Sequence, residues 1–187
     1  PFSVKGGRDI MFRNNTVVGN FPGQAFAARF LREGANPVML NIRLLNNIWS
    51  DPTGSMEDFS DGPPADTSGL VLSNNLYWNG GSPIPVDEEV LNVTDDIRGL
   101  TANPLLPLQP NVVLPNWQGT RFPSGSTTAR GGFERLVRSY GTPAAGSPVI
   151  GRSDPSETPE ADMMDAPRGL APDLGAVQVN GVRSGLR

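Results

Sequence analysis

Apolar and polar positions alternate in three short stretches of this chain, and the three align. Residues 9–18 read DIMFRNNTVV, residues 41–50 NIRLLNNIWS and residues 69–78 GLVLSNNLYW. Each sets two alternate apolar residues before an Asn-Asn pair and a second short apolar run after it. Period-two alternation over a few residues predicts strands, with one face buried. The Asn pairs begin at 14, 46 and 74, so the steps are 32 and 28 residues. Unequal steps suit a structural repeat whose loops differ in length.

Read as strands, Ile10, Ile42 and Leu70 share one face with Phe12, Leu44 and Leu72. Met11, Arg43 and Val71, with Arg13, Leu45 and Ser73, take the other. Stacked about 4.8 Å apart, equivalent positions form apolar columns inside a parallel solenoid. Thr16, Ile48 and Leu76 make a further column, inward after the bend. The asparagines fit the bend itself, because Asn tolerates left-handed backbone and identical amides can hydrogen-bond along a stack. The spacing thus predicts Ile10, Phe12, Ile42, Leu44, Leu70 and Leu72 as core.

These Asn-Asn coils resemble the right-handed parallel β-helix of pectin-lyase-like proteins, and the likeness continues downstream. ANPLL at 102–106, GSPVIG at 146–151, PRG at 167–169 and APDLGA at 171–176 are similar to elements that follow the last coil in such proteins. The chain departs from that pattern at Asn103 and Gly151, where relatives carry Asp. The resemblance implies an all-β fold: a right-handed parallel β-helix (solenoid) of about three coils with an irregular C-terminal cap. Residues 1–100 would hold the coils, with loop insertions at 51–68 and 82–100, and residues 101–187 the capping region. Ala25–Phe30 reads as an extra strand of the intermediate coil. Within the cap, 132–140 is the best helix candidate, with Phe133, Leu136, Val137 and Tyr140 at helical spacing. Nothing before Asp9 reads as a cap. The first coil should therefore be covered by an upstream region or by another protein chain.

Composition narrows the chemistry. The 187 residues contain no cysteine and no histidine, which removes disulfides, thiolate sites, Ser-His and Cys-His nucleophile pairs and His-ligated metals. A net charge of -4 argues against a nucleic-acid binder, and no apolar run approaches a membrane span. Lys5 is the only lysine; standing before the first clear coil, it is a weak candidate base for a lyase.

The β-helix resemblance implies polysaccharide as substrate class and an extracellular or cell-surface location. Arg13 and Arg43, expected at equivalent outward positions of successive coils, could grip sugar carboxylates; a solvated sheet face is the alternative. Trp49, Tyr77 and Trp78 follow the Asn pairs and are the aromatic candidates for carbohydrate binding. With Ile48 and Leu76 inward, alternation turns Trp49 and Tyr77 outward as a platform for sugar rings, whereas a phase change at the bend would make them core. The acidic loop with Asp51, Glu57, Asp58, Asp61 and Asp66 offers hard oxygens to Ca²⁺, with Asp51, Asp58 and Asp61 as the ligand set, or is a solvated insertion. Asp87, Glu88, Glu89, Asp95 and Asp96 could supply the paired carboxylates of glycoside hydrolysis, a role that adjacent acids often lack. The rival to polysaccharide recognition or processing is a non-enzymatic structural or adhesive β-helix, a surface or fibre component.

Overall fold

The computed structural model describes residues 2–22, 27–89, 91–108 and 113–179. Among these described residues, eleven short strands wind into a parallel β-solenoid of about three turns. The first turn carries β1 (Phe2–Val4), β2 (Arg8–Arg13) and β3 (Thr16–Val18). The second carries β4 (Ala28–Phe30), β5 (Met39–Leu45) and β6 (Ile48–Asp51). The third carries β7 (Ser60–Asp61), β8 (Thr67–Ser68), β9 (Val71–Ser73) and β10 (Leu76–Asn79), and β11 (Leu100–Thr101) starts a further turn. Stacking gives three sheets: β1-β4-β7, β2-β5 with β8 and β9, and β3-β6-β10-β11. Every pairing between these strands is parallel. The extra strand of the second turn is β4, and Ala25 and Phe26 lie outside the described residues.

Register follows the sequence repeat. Ile10 pairs with Ile42, and Phe12 with Leu44 and then Leu72. Ile42 and Leu44 are fully buried, and Leu72 is buried, in the main core. Ile10 and Phe12, on the edge strand β2, are only half-buried, and Leu70 is half-buried at the break between β8 and β9.

Beyond the bend the expected phase is reversed. Asn14, Asn46 and Asn74 have φ of 51°, 56° and 61°, the left-handed conformation that Asn adopts at low cost. Each such residue adds a second outward position after Arg13, Leu45 or Ser73, so alternation restarts one residue late. Val17, Trp49 and Tyr77 then face the solenoid core, and Thr16, Ile48 and Leu76 face out. Trp49 and Tyr77 stack with ring centroids 5.7 Å apart, and Phe59 meets both edge-on at 5.3 and 5.2 Å. Phe59 and strands β7 and β8 thus return part of the polar stretch 51–68 to the stack, where the sequence pattern places all of it outside.

The outward column of Ile48 and Leu76 is covered by Val149 and Leu174. Residues 147–178 therefore run along the flank of the third sheet. The cap-like sequence elements hold them there. Arg168 donates to the carbonyls of Asp173 and Gly175 at 2.9 and 2.7 Å, and the Gly175 N–H donates to the Asn46 carbonyl at 2.9 Å. Gly175 has φ of 81°, and a Cβ there would lie 2.5 Å from both Ile48 Cδ1 and Thr16 Oγ1. Only glycine fits.

Helix α1 (Ala129–Leu136) starts at an N-cap Thr128 that accepts from the Gly131 N–H, and continues as a wider turn through Gly141. Its residues Leu136, Val137 and Tyr140 face Met163 and Val177 across an apolar cavity of about 240 Å³. Phe133 is 61 % exposed, contrary to the helical-spacing expectation. No helix among the described residues is long and apolar enough to cross a membrane.

Candidate functional site

The Asn pairs divide their work between two columns. Asn15, Asn47 and Asn75 point inward and form a ladder. Asn47 Oδ1 accepts from the N–H and Nδ2 of Asn15, both at 2.9 Å. Asn75 Oδ1 accepts the same pair from Asn47 at 2.9 and 3.0 Å. Asp96 Oδ2 ends the series, accepting from Asn75 N–H and Nδ2 at 2.8 Å each and from the Tyr77 hydroxyl at 3.1 Å. Burial, with the Asp96 carboxylate beside it, holds the Tyr77 phenol protonated well above its ordinary range. Asn14, Asn46 and Asn74 point outward and bind the flanking segment, through Ser153 Oγ at 3.0 Å, the Asp154 N–H at 2.9 Å and the Arg152 carbonyl at 2.8 Å. Both columns are structural.

The acids singled out from the sequence separate into similar structural roles. Asp51 is fully buried and takes hydrogen bonds from Thr53, Ser55 and the Phe21 N–H. Burial pushes its carboxyl up, but those hydrogen bonds together hold it below the usual range. Asp61 pairs with Arg29 at 2.7 Å, and Asp66 receives the Arg32 N–H at 2.8 Å. Asp96 closes the ladder, and Asp95 with Asn92 makes a reciprocal cap on a short 3₁₀ turn. Asp58 meets Asp87 with Glu89 nearby, and burial plus the Asp87 charge raise its carboxyl to about 6. Asp51, Asp58 and Asp61 thus have separate partners, and among the described residues no three acids are placed to hold a metal ion. Lys5 pairs with Glu33 at 3.1 Å.

Among the described residues, two surface hollows bear on the candidate residues. One, about 320 Å³, lies on the outer face of the second sheet and is lined by Asp9, Met11, Asn41, Arg43 and Val71. The two arginines expected at equivalent positions fall in neighbouring columns instead. Arg43 pairs with Met11 across the strands and Arg13 with Leu45, so they share a face without stacking. Arg43 is also held by Glu157 at 2.6 Å, which offsets the charge it could offer a ligand.

The other hollow, about 230 Å³, lies on the outer face of the third sheet past the covered Ile48–Leu76 column. There Val18, Ser50 and Trp78 form the next outward column, in register across three turns. Residues 103–108 make the opposite wall through Asn103, Leu106, Pro107 and Leu108, with Pro52 and Gly80 at the rim. The wall is shaped by Leu105, at φ of 52°, whose N–H donates to Asn103 Oδ1 at 2.9 Å. Trp78 is half-buried, while Trp49 and Tyr77 are 0 % and 1 % exposed. Of the three aromatics proposed as a sugar platform, the bend leaves Trp78 at the surface and takes Trp49 and Tyr77 into the core. This hollow combines an aromatic ring, a hydroxyl and a side-chain amide, and its lining carries no ionisable group. Asn103 belongs to the site although the sequence suggested only a departure from a motif; its position two residues beyond β11 was the available signal.

No family model and no curated protein matches the chain.

Proposed function

We propose that this chain is part of an extracellular or cell-surface β-solenoid, of the pectin-lyase-like kind, that recognises polysaccharide at the Trp78 hollow. The observation that carries the reading is the composition of that hollow: an aromatic wall with Ser50 and Asn103 around a space suited to one sugar ring. The apolar face of a pyranose packs on an indole, and a hydroxyl and an amide provide both donors and acceptors for its ring hydroxyls. The uncharged lining favours a neutral glycan over a uronate. It also favours recognition over bond cleavage, since hydrolysis needs two carboxyl groups flanking the scissile bond. The non-enzymatic alternative, an adhesive surface component, draws on the same feature and differs only in whether a catalytic site lies elsewhere.

The test is titration of the full chain with neutral gluco-, galacto- and manno-oligosaccharides, followed by tryptophan fluorescence. Saturable change is expected for at least one series, reduced at least tenfold in affinity in Trp78→Ala and unchanged in Trp117→Phe. No response to any series, or equal response in Trp78→Ala, would sink the proposal.

A further inference from the structure

The loops that leave β3 and β6 bring five side-chain oxygens together. Asp51 ends β6, and Thr53 and Ser55 follow at alternate positions around Gly54, whose φ of 75° turns the loop. Thr53 Oγ1 lies 2.6 Å from Asp51 Oδ1, 2.8 Å from Ser55 Oγ and 3.5 Å from Asn20 Oδ1. Ser55 Oγ lies 3.0 Å from Asp51 Oδ2 and also contacts Asn20 Oδ1. Asn20 stands two residues beyond β3, on the neighbouring turn.

These are five contacts between oxygens, and only two protons serve them, one on each hydroxyl. With both protons given to the carboxylate, Asn20 Oδ1, Thr53 Oγ1 and Ser55 Oγ face one another with lone pairs alone. Any other assignment also leaves three contacts without a proton. Asp51 adds a separate imbalance. It is fully buried, yet every group bonded to its carboxylate is neutral: the Phe21 N–H at 2.9 Å, the Thr53 N–H at 2.7 Å and the two hydroxyls. Among the described residues no lysine or arginine pairs with it. A buried carboxylate without a counter-charge, beside oxygens without protons, calls for a cation.

We propose that Asn20, Asp51, Thr53 and Ser55 form a Ca²⁺ site. An all-oxygen set suits a hard cation. With Ca–O distances of about 2.3–2.6 Å, adjacent ligands of a pentagonal bipyramid stand about 2.7–3.7 Å apart, close to the spacing of these oxygens. Mg²⁺ demands a tighter octahedron and keeps several of its waters, so it is the poorer fit. Asn20 and Thr53 are exposed, which leaves a side where water completes the shell. One carboxylate places the site in the weak class, with Kd about 10⁻⁴–10⁻³ M. Of the ligands expected from the sequence only Asp51 takes part, and the rest are amide and hydroxyl oxygens that a search for acids passes over. The third turn supports the loop from one side, since a Cβ at Gly80 would lie 2.6 Å from Gly54 N. The ion ties the two loops together and steadies Pro52 at the rim of the Trp78 hollow. The site does not depend on that hollow taking a sugar.

The experiment titrates the ¹⁵N-labelled full chain with CaCl₂, and with MgCl₂ at equal ionic strength. Saturable Ca²⁺ shifts are expected at the amides of residues 20, 21 and 53–56, with a midpoint of about 10⁻⁴–10⁻³ M and Mg²⁺ at least tenfold weaker. Asn20→Ala and Ser55→Ala should each weaken Ca²⁺ at least tenfold, with circular dichroism confirming the fold. Asn20→Asp, which adds a charge, should tighten binding at least threefold. Asp61→Asn, which removes an acid paired with Arg29, should leave it unchanged and so exclude diffuse attraction to an acidic chain. Absence of saturable shifts at these amides up to about 20 mM Ca²⁺ would overturn the proposal. That result is expected if the Asn20 amide turns to donate through Nδ2 to both hydroxyls. An equal response to Mg²⁺, full binding in Asn20→Ala and Ser55→Ala, or no gain in Asn20→Asp would overturn it as well.

Discussion

Replacing Asn47 with alanine should damage the fold far more than the same change at Asn15, and the difference can be worked from the ladder. The Asn47 side chain is fully buried and takes part in four hydrogen bonds. Its oxygen accepts two from Asn15, and its Nδ2 donates to the Phe12 carbonyl at 3.0 Å and to Asn75 Oδ1 at 3.0 Å. After Asn47→Ala, Asn75 Oδ1 still receives the Asn47 N–H, and Asn15 Nδ2 still reaches the Arg13 carbonyl at 3.1 Å. The Asn15 N–H loses its ladder acceptor. Leaving one part-buried donor unpaired costs about 1–3 kcal/mol, and each of the three further lost bonds about 0.5–1.5 kcal/mol, so Asn47→Ala should cost about 3–7 kcal/mol. At Asn15 the side-chain oxygen accepts nothing among the described residues, and Asn47 Oδ1 keeps the Asn15 N–H. Asn15→Ala loses only the two Nδ2 bonds, to Asn47 Oδ1 and the Arg13 carbonyl, and should therefore cost about 1–3 kcal/mol. Urea unfolding followed by far-ultraviolet circular dichroism gives both values, provided the denaturant slope is unchanged. Equal losses at the two positions would refute the ladder as a source of stability.

Gly175→Ala should cost about 2–4 kcal/mol, from a left-handed backbone combined with contacts that a Cβ cannot make without displacing Ile48 or Thr16. Limited proteolysis should then cut residues 147–178 sooner, and unchanged protection would count against the flanking clamp. Asp58→Asn should stabilise the protein increasingly as pH rises. The folded Asp58 carboxyl, raised to about 6, binds its proton more tightly than the unfolded one. Its contribution is thus fully present below about 4 and lost as pH passes through 6. The gain in melting stability over the unaltered protein should reach about 1 kcal/mol at pH 7, because solvent screens the pair, and vanish near pH 4. A gain that does not vary with pH would remove the Asp58–Asp87 repulsion from the account.

The strands up to each bend were legible because period-two alternation survives comparison across turns: Ile10 with Ile42, Phe12 with Leu44 and Leu72. The phase after the bend was not, since it depends on the left-handed backbone at Asn14, Asn46 and Asn74. One residue of that kind exchanges every inward and outward position that follows. Trp49 and Tyr77 moved to the core for that reason, and Trp78 to the surface. Asp96 was legible only as one acid among several. Its role as the last rung comes from a loop 21 residues beyond Asn75 that has no counterpart in the repeat. Arg43 looked available because the residue that engages it, Glu157, lies 114 positions away on the flanking segment. The Trp78 hollow likewise needs 103–108 to fold back against the third sheet, a long-range contact that leaves no local period to read.

Hydroxyl-radical footprinting of the three tryptophans, read by mass spectrometry with and without an oligosaccharide identified by titration, tests register and function together. Trp49 should stay protected in both states, and Trp117, 52 % exposed, should be labelled in both. Trp78 should be labelled in the free chain and protected when the sugar is present. Labelling of Trp49 to the level of Trp117 would contradict the stacked core, and labelling of Trp78 unchanged by saturating sugar would contradict recognition at this site.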